Sequence, residues 1–154
     1  MMVLACAAST YPQAKQKALK YFQDHSRRSG AIGKPMVLEE FGMARDSNTG
    51  KSRYLPSTGV AWRDHFFDNM LSWVCLLGRD PNSAVVGANL WAYGGEASLG
   101  LSDDWTPGGM WRPGDMLTGD PPHEAQGWYS IYATDNSTLD VIEKYATCIT
   151  PAKQ

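Results

Sequence analysis

The chain has 154 residues, 43% of them hydrophobic, which is single-domain size with enough apolar material to bury a core. A formal net charge of -2 supplies no electrostatic footprint for nucleic acid or anionic lipid, so a neutral or weakly charged partner fits better. No run approaches the roughly 20 apolar residues of a membrane span, and residues 1–8 lack the basic stretch and the length of a signal peptide. The product reads as soluble.

In chain order, residues 12–28 place Ala14, Ala18, Tyr21, Phe22 and His25 at steps of three and four, with Lys and Arg mostly opposite, which is the pattern of an amphipathic helix. Gly30 and Gly33 end it. Residues 36–40 form a short apolar run, bounded by Gly-Lys-Pro and Gly42, that suits a strand covered on both faces. After a polar loop, residues 60–77 bring Phe67, Met70, Leu71, Val74 and Cys75 onto one helical stripe, which Gly78 stops. Residues 85–93 make a second strand. Residues 137–146 make a third helix, with Leu139, Ile142 and Ala146 inward and a capping-box-like start at Ser137. Helix, strand, helix, strand, helix implies parallel strands with right-handed crossovers, an α/β arrangement.

Residues 94–122 break the pattern, with seven Gly, four Pro, Trp105, Trp111 and four Asp and no period. So long a loop within a domain is usually functional or disordered, and its two tryptophans argue for an ordered loop, either facing a ligand or merely capping the strand ends. Cys6, Cys75 and Cys148 are an odd number without the paired spacing of a zinc site, and they read as free thiols. Asn136-Ser137-Thr138 fits the N-glycosylation acceptor pattern and equally suits a helix cap.

Side-chain alternation sharpens the chemistry. On the first strand Met36, Leu38 and Glu40 share one face, and Val37 and Glu39 the other; on the second, Val85, Gly87, Asn89, Trp91 and Tyr93 share a face. Glu39 and Glu40 therefore do different work. If Glu40 and Trp91 both point to the axis of a barrel, they meet at its C-terminal rim, where active sites of such barrels sit. The competing reading is a strand end held by salt bridges to Arg45 or Arg63, with Trp91 an ordinary core aromatic.

The runs KPMVLEEFGMARD, ANLWAYGGEA and WRPGDMLTGDPPHEAQGWYSIYATDNSTLDVI resemble the last quarter to third of the endo-1,4-β-mannosidases of glycoside hydrolase family 5, over residues 14–147. The resemblance implies a (β/α)8 TIM barrel of which residues 1–154 are a single incomplete catalytic domain, comprising strands seven and eight with flanking helices. It implies a retaining mechanism on β-mannan or manno-oligosaccharide, and secretion of the full-length form. The second Glu of the EEFG-type run, Glu40, falls on the nucleophile, and Trp91 on the floor of the subsite for the cleaved sugar. Trp111, Trp105, Glu96 and Arg45 are the further candidate substrate-binding residues. No metal ion and no cofactor are expected.

One departure from the family matters. The acid/base glutamate of an Asn-Glu pair is missing, since no Asn-Glu dipeptide occurs in the sequence, and none of the first six strands is expected. A retaining glycosidase needs two carboxyl groups about 5 to 5.5 Å apart. The isolated chain is therefore expected to be inactive, and its uncovered strand edges to favour self-association or pairing with a missing N-terminal lobe. Two other readings stay open: a non-catalytic fragment or carbohydrate-binding remnant, and a relative acting on another β-linked glucan.

Overall fold

The computed structural model describes residues 2–4, 11–46, 55–96 and 127–149. Strand β1 (Met2–Leu4) is followed by helix α1 (Tyr11–Ala31), strand β2 (Met36–Met43), helix α2 (Ala61–Gly78), strand β3 (Val85–Leu90), the short strands β4 (Tyr93–Gly95) and β5 (Ile131–Tyr132), and helix α3 (Asn136–Ile149). β1, β2 and β3 form a parallel sheet in that order, and β4 and β5 a separate parallel pair.

The helices follow their sequence period. In α1, Tyr11, Ala14, Ala18, Phe22 and Ser26 recur every three or four residues and are buried. Tyr21 stays 48% exposed and stacks on His25, correcting its expected place on the inner stripe. The helix closes in a Schellman motif: Lys34 N–H donates to Ser29 O and Gly33 N–H to Gly30 O, with Gly33 at φ 64, where a Cβ would be strained. α2 buries Phe66, Phe67, Met70, Leu71 and Val74. Its N-terminus is capped from a distance, because the Asp46 carboxylate accepts the N–H groups of Ala61 and Trp62 at 2.6 and 3.0 Å, placing an anion on the positive end of the helix.

The core lies between these helices and one face of the sheet, where Phe41 sets its ring edge-on to Phe66 and Phe67 among Phe22, Leu38, Met70, Val74, Val85 and Ile131. Each large side chain so buried contributes roughly 1.5 to 3 kcal/mol. α3 docks on α2, where Lys144 Nζ and the Tyr145 hydroxyl both donate to Asp68.

The structure amends several expectations. The sheet has a third strand: β1 pairs with Phe41, Gly42 and Met43 of β2, in the place next to barrel strand seven, so one strand precedes the expected two. Val37 and Val86, on strands expected to be covered on both faces, are 42% and 54% exposed. The second strand ends at Leu90 and not at residue 93, since Ala92 and Tyr93 exchange the β2 partner for the 129–132 segment: Ala92 N–H donates to Tyr129 O, and Ile131 N–H to Ala92 O. Cys75 and Cys148 form a disulfide rather than free thiols, bridging α2 and α3 across 73 residues. Helix stacking brings their Cα atoms to 5.6 Å, a proximity that sequence spacing does not encode. Within α3, Tyr145 packs inward while Ala146 is exposed.

Candidate active site

Glu40 lies near the carboxyl end of β2, exposed, with φ 51. A non-glycine residue in this left-handed region costs of order 1 to 3 kcal/mol and is held only where its surroundings impose it. The imposing feature is a register shift: Leu38 pairs with Ala88 but Phe41 with Leu90, so three steps on β2 match two on β3. The extra residue breaks the expected alternation. Leu38 and Phe41 both face the helical core, and Glu39 and Glu40 are both exposed. Leu38 and Glu40 thus do not share an environment, which corrects the parity argument.

Glu39 takes the open side of the sheet, where its Oε1 accepts from Asn89 Nδ2 of β3 at 3.2 Å. Trp91 follows β3 at the same end and is half-buried. Its N–H donates to Phe41 O at 2.9 Å, and its carbonyl lies so close to Gly42 that a Cβ there would collide. Glu40 therefore precedes Phe41, the β2 residue that pairs with the last residue of β3, Leu90, and Trp91 comes directly after that pair. A cleft of about 370 Å³ runs between α1 and β2, lined by Tyr21, His25, Ser29 and residues 36–40, and both glutamates border it.

Arg45 is not a partner of either glutamate. It is 3% exposed, stacks over the Tyr132 ring and gives both Nη2 contacts to Asp135, at 2.9 and 2.6 Å, and Nη1 to the Pro56 and Thr58 carbonyls. Arg63, fully buried in α2, reaches the same Asp135 at 2.7 Å, the Ser130 carbonyl and the Thr138 hydroxyl, which in turn donates to Asp64. The salt bridges expected at the Glu pair thus go to Asp135 instead. Burial alone would raise the Asp135 carboxyl, but hydrogen bonds from the Tyr132 N–H and from both arginines outweigh it and hold its pKa below the usual value. Burial lowers that of Arg63, against the pull of Asp135. This clamp ties the end of β2 to α2 and to the start of α3.

Of the other candidates, Glu96 is exposed just past β4, while Trp105 and Trp111 lie outside the described residues. Among the described residues no cluster of three or more His, Cys, Asp or Glu could hold a metal ion. Sequence reasoning did not foresee Asn89 as the partner of Glu39, Asp46 as the cap of α2, or Asp135 and Thr138 as partners of Arg63. Arg63 had a readable signal, since it lies three and four residues before Phe66 and Phe67, on the inward stripe of α2.

An exposed carboxylate near the carboxyl end of a strand can attack or cradle a sugar, yet cannot by itself choose a substrate. Residues 4–154 match the family model for β-mannosidase-like proteins of glycoside hydrolase family 5. The chain belongs to that family. No curated protein matches it. It is similar to the crystal structure of a family 5 mannosidase from Rhizomucor miehei, with TM-score 0.77 and 30% identity over 93% of this chain and 33% of that one. A point variant of that enzyme gives TM-score 0.76 and 31% identity, covering 90% and 32%. A second variant, in complex with mannosyl-fructose, gives 0.73 and 28%, covering 96% and 37%. The family 5 chain described here spans about a third of the length of these solved structures, and its α/β fold is that of the final strands of a (β/α)8 barrel with their helices.

Proposed function

We propose that this chain is the nucleophile-bearing lobe of a retaining endo-1,4-β-mannosidase, with Glu40 as nucleophile and Trp91 as platform for the sugar being cleaved. The observation that carries the reading is the placement of Glu40, exposed in the C-terminal half of β2 one residue before Phe41, whose carbonyl accepts the N–H of Trp91 just past the end of β3. The rim at the carboxyl ends of the strands is where barrels of this class put their chemistry. Glu40 would attack the anomeric carbon while a carboxylic acid from another lobe protonates the departing oxygen. The glycosyl-enzyme would then be released by water.

Glu39 keeps its place with Asn89 on the open side and has no part in bond cleavage. Glu96, Trp105 and Trp111 are proposed to line the sugar path, and Arg45 to support it from within the clamp on Asp135. The mannosyl-fructose in one similar structure supports short manno-configured sugars as ligands beside the polymer. The disulfide between Cys75 and Cys148 favours an oxidising compartment, in keeping with export. No helix among the described residues is long and apolar enough to cross a membrane.

A second reading is a carbohydrate-binding module without activity, in keeping with the half-buried Trp91 indole as a sugar platform. Assay of β-mannan and manno-oligosaccharides with the 154-residue chain, alone and with a fragment carrying the preceding βα units of a family 5 mannosidase, separates the two. Hydrolysis only with both pieces supports the nucleophile lobe. Binding without hydrolysis in either case supports the binding module, and hydrolysis by the lone chain overturns the requirement for an outside acid, whose contribution is commonly about 10² to 10⁴ fold.

A further inference from the structure

We infer that Asn136 is an acceptor for an N-linked glycan, attached before α3 docks on α2. The triplet Asn136-Ser137-Thr138 is the one Asn-X-Ser/Thr sequence of the chain, with Ser at the middle position, where Pro would forbid transfer. Its competing role was helix capping, and that role is not taken. α3 begins at Asn136 itself, and the Asn136 and Ser137 side chains are exposed and make no hydrogen bond among the described residues. The preceding Asp135 spends its carboxylate on Arg45, Arg63 and the Tyr132 N–H rather than on the first turn of α3. Asn136 therefore sits at a helix start with an amide that the fold leaves unused.

The surface there accepts a bulky polar group. Asn136 shares an exposed stripe with Asp140, Glu143 and Thr147, whereas Leu139, Ile142 and Tyr145 face the core. A glycan on Asn136 projects from the stripe that α2 does not touch. The Cys75–Cys148 disulfide adds the compartment, because such bonds form and persist where chains are exported, and that is where the modification occurs. The inference rests on the export reading above and not on the identity of the polysaccharide.

Timing follows from Thr138. The transferase must reach the hydroxyl of the third residue, yet in the folded protein Thr138 is fully buried, accepting from Arg63 and donating to Asp64. Transfer thus precedes docking of α3. In the step, Asn136 Nδ2 attacks C1 of a polyprenyl-pyrophosphate-linked oligosaccharide; the new C–N bond replaces the C–O bond to pyrophosphate, which leaves with its electron pair, and the amide gives up one proton.

The test is translation of the full 154-residue chain behind a cleavable leader in the presence of endoplasmic-reticulum membranes, with and without dithiothreitol, read by endoglycosidase-sensitive mass. The leader imposes translocation, so the result reports on the acceptor and not on export. A sensitive form is expected in the parent and in Thr138→Ser, absent in Asn136→Gln, and more abundant when reductant delays closure of the disulfide. Absence of a sensitive form in the parent under both redox conditions overturns the inference. Equal occupancy with and without reductant overturns its timing.

Discussion

The Trp91 carbonyl oxygen rests against Gly42, in the space a Cβ would need, while the Trp91 N–H donates to the carbonyl of Phe41 one residue earlier. Two strand ends are locked backbone to backbone at the rim where Glu40 stands. The absence of a side chain at residue 42 is thus a condition for the placement of the indole.

Gly42→Ala should cost about 1 to 3 kcal/mol, the usual range for overpacking, because the obstacle is backbone and cannot rotate away. Gly87→Ala, on the neighbouring strand with open space around its Cβ position, should be neutral or slightly stabilising. Urea midpoints of the two variants measure this. Equal midpoints would remove the close approach from the account.

Glu40→Gln in a barrel completed by the preceding βα units of a family 5 mannosidase should abolish turnover while leaving the unfolding midpoint near that of the parent, since Glu40 is exposed and has no hydrogen-bond partner among the described residues. Glu39→Gln retains an acceptor for Asn89 and should keep turnover, with a stability change within about 0.5 kcal/mol. Undiminished hydrolysis by the Glu40→Gln barrel would take Glu40 out of the mechanism.

Asp135→Asn removes the charge that two buried guanidinium groups share and should cost about 3 to 5 kcal/mol. Asp24→Asn, which breaks only exposed pairs with Lys20 and Arg27, should fall within about 1 kcal/mol of the parent. Thermal or urea unfolding gives both values side by side.

The same carboxylate sets an acid limit. Its folded pKa lies below the unfolded value of about 3.9, so its stabilisation is fully present above that value and is lost as pH falls through the folded one. Stability measured from pH 7 downward should therefore hold until about pH 4 and then drop. In Asp135→Asn that part of the drop should be missing, and an identical acid profile in parent and variant would refute the assignment.

Reduction of the Cys75–Cys148 bond, or Cys148→Ala, should lower stability by about 4 kcal/mol on the chain-entropy account for a loop of this size. Thiol titration of the denatured chain should find Cys6 alone before reduction and all three cysteines after. Three thiols before reduction would exclude the bond.

Local patterns in the chain settle the order of helices and parallel strands and the family, because helical and strand periods and a contiguous motif are properties of neighbouring residues. They leave open which way the two glutamates face. That hangs on a single-residue register shift between Leu38 and Phe41, and one step of register turns a strand face over. They pair Arg45 with the wrong neighbourhood, since its partner Asp135 lies 90 residues away and arrives only when the start of α3 closes over β2 and α2. They make Cys75 and Cys148 look free, since nothing in the spacing foretells that α3 stacks on α2 with the two cysteines facing each other. These outcomes depend on which distant segments meet in space, and that is fixed by the packing of helices and sheet around a shared core.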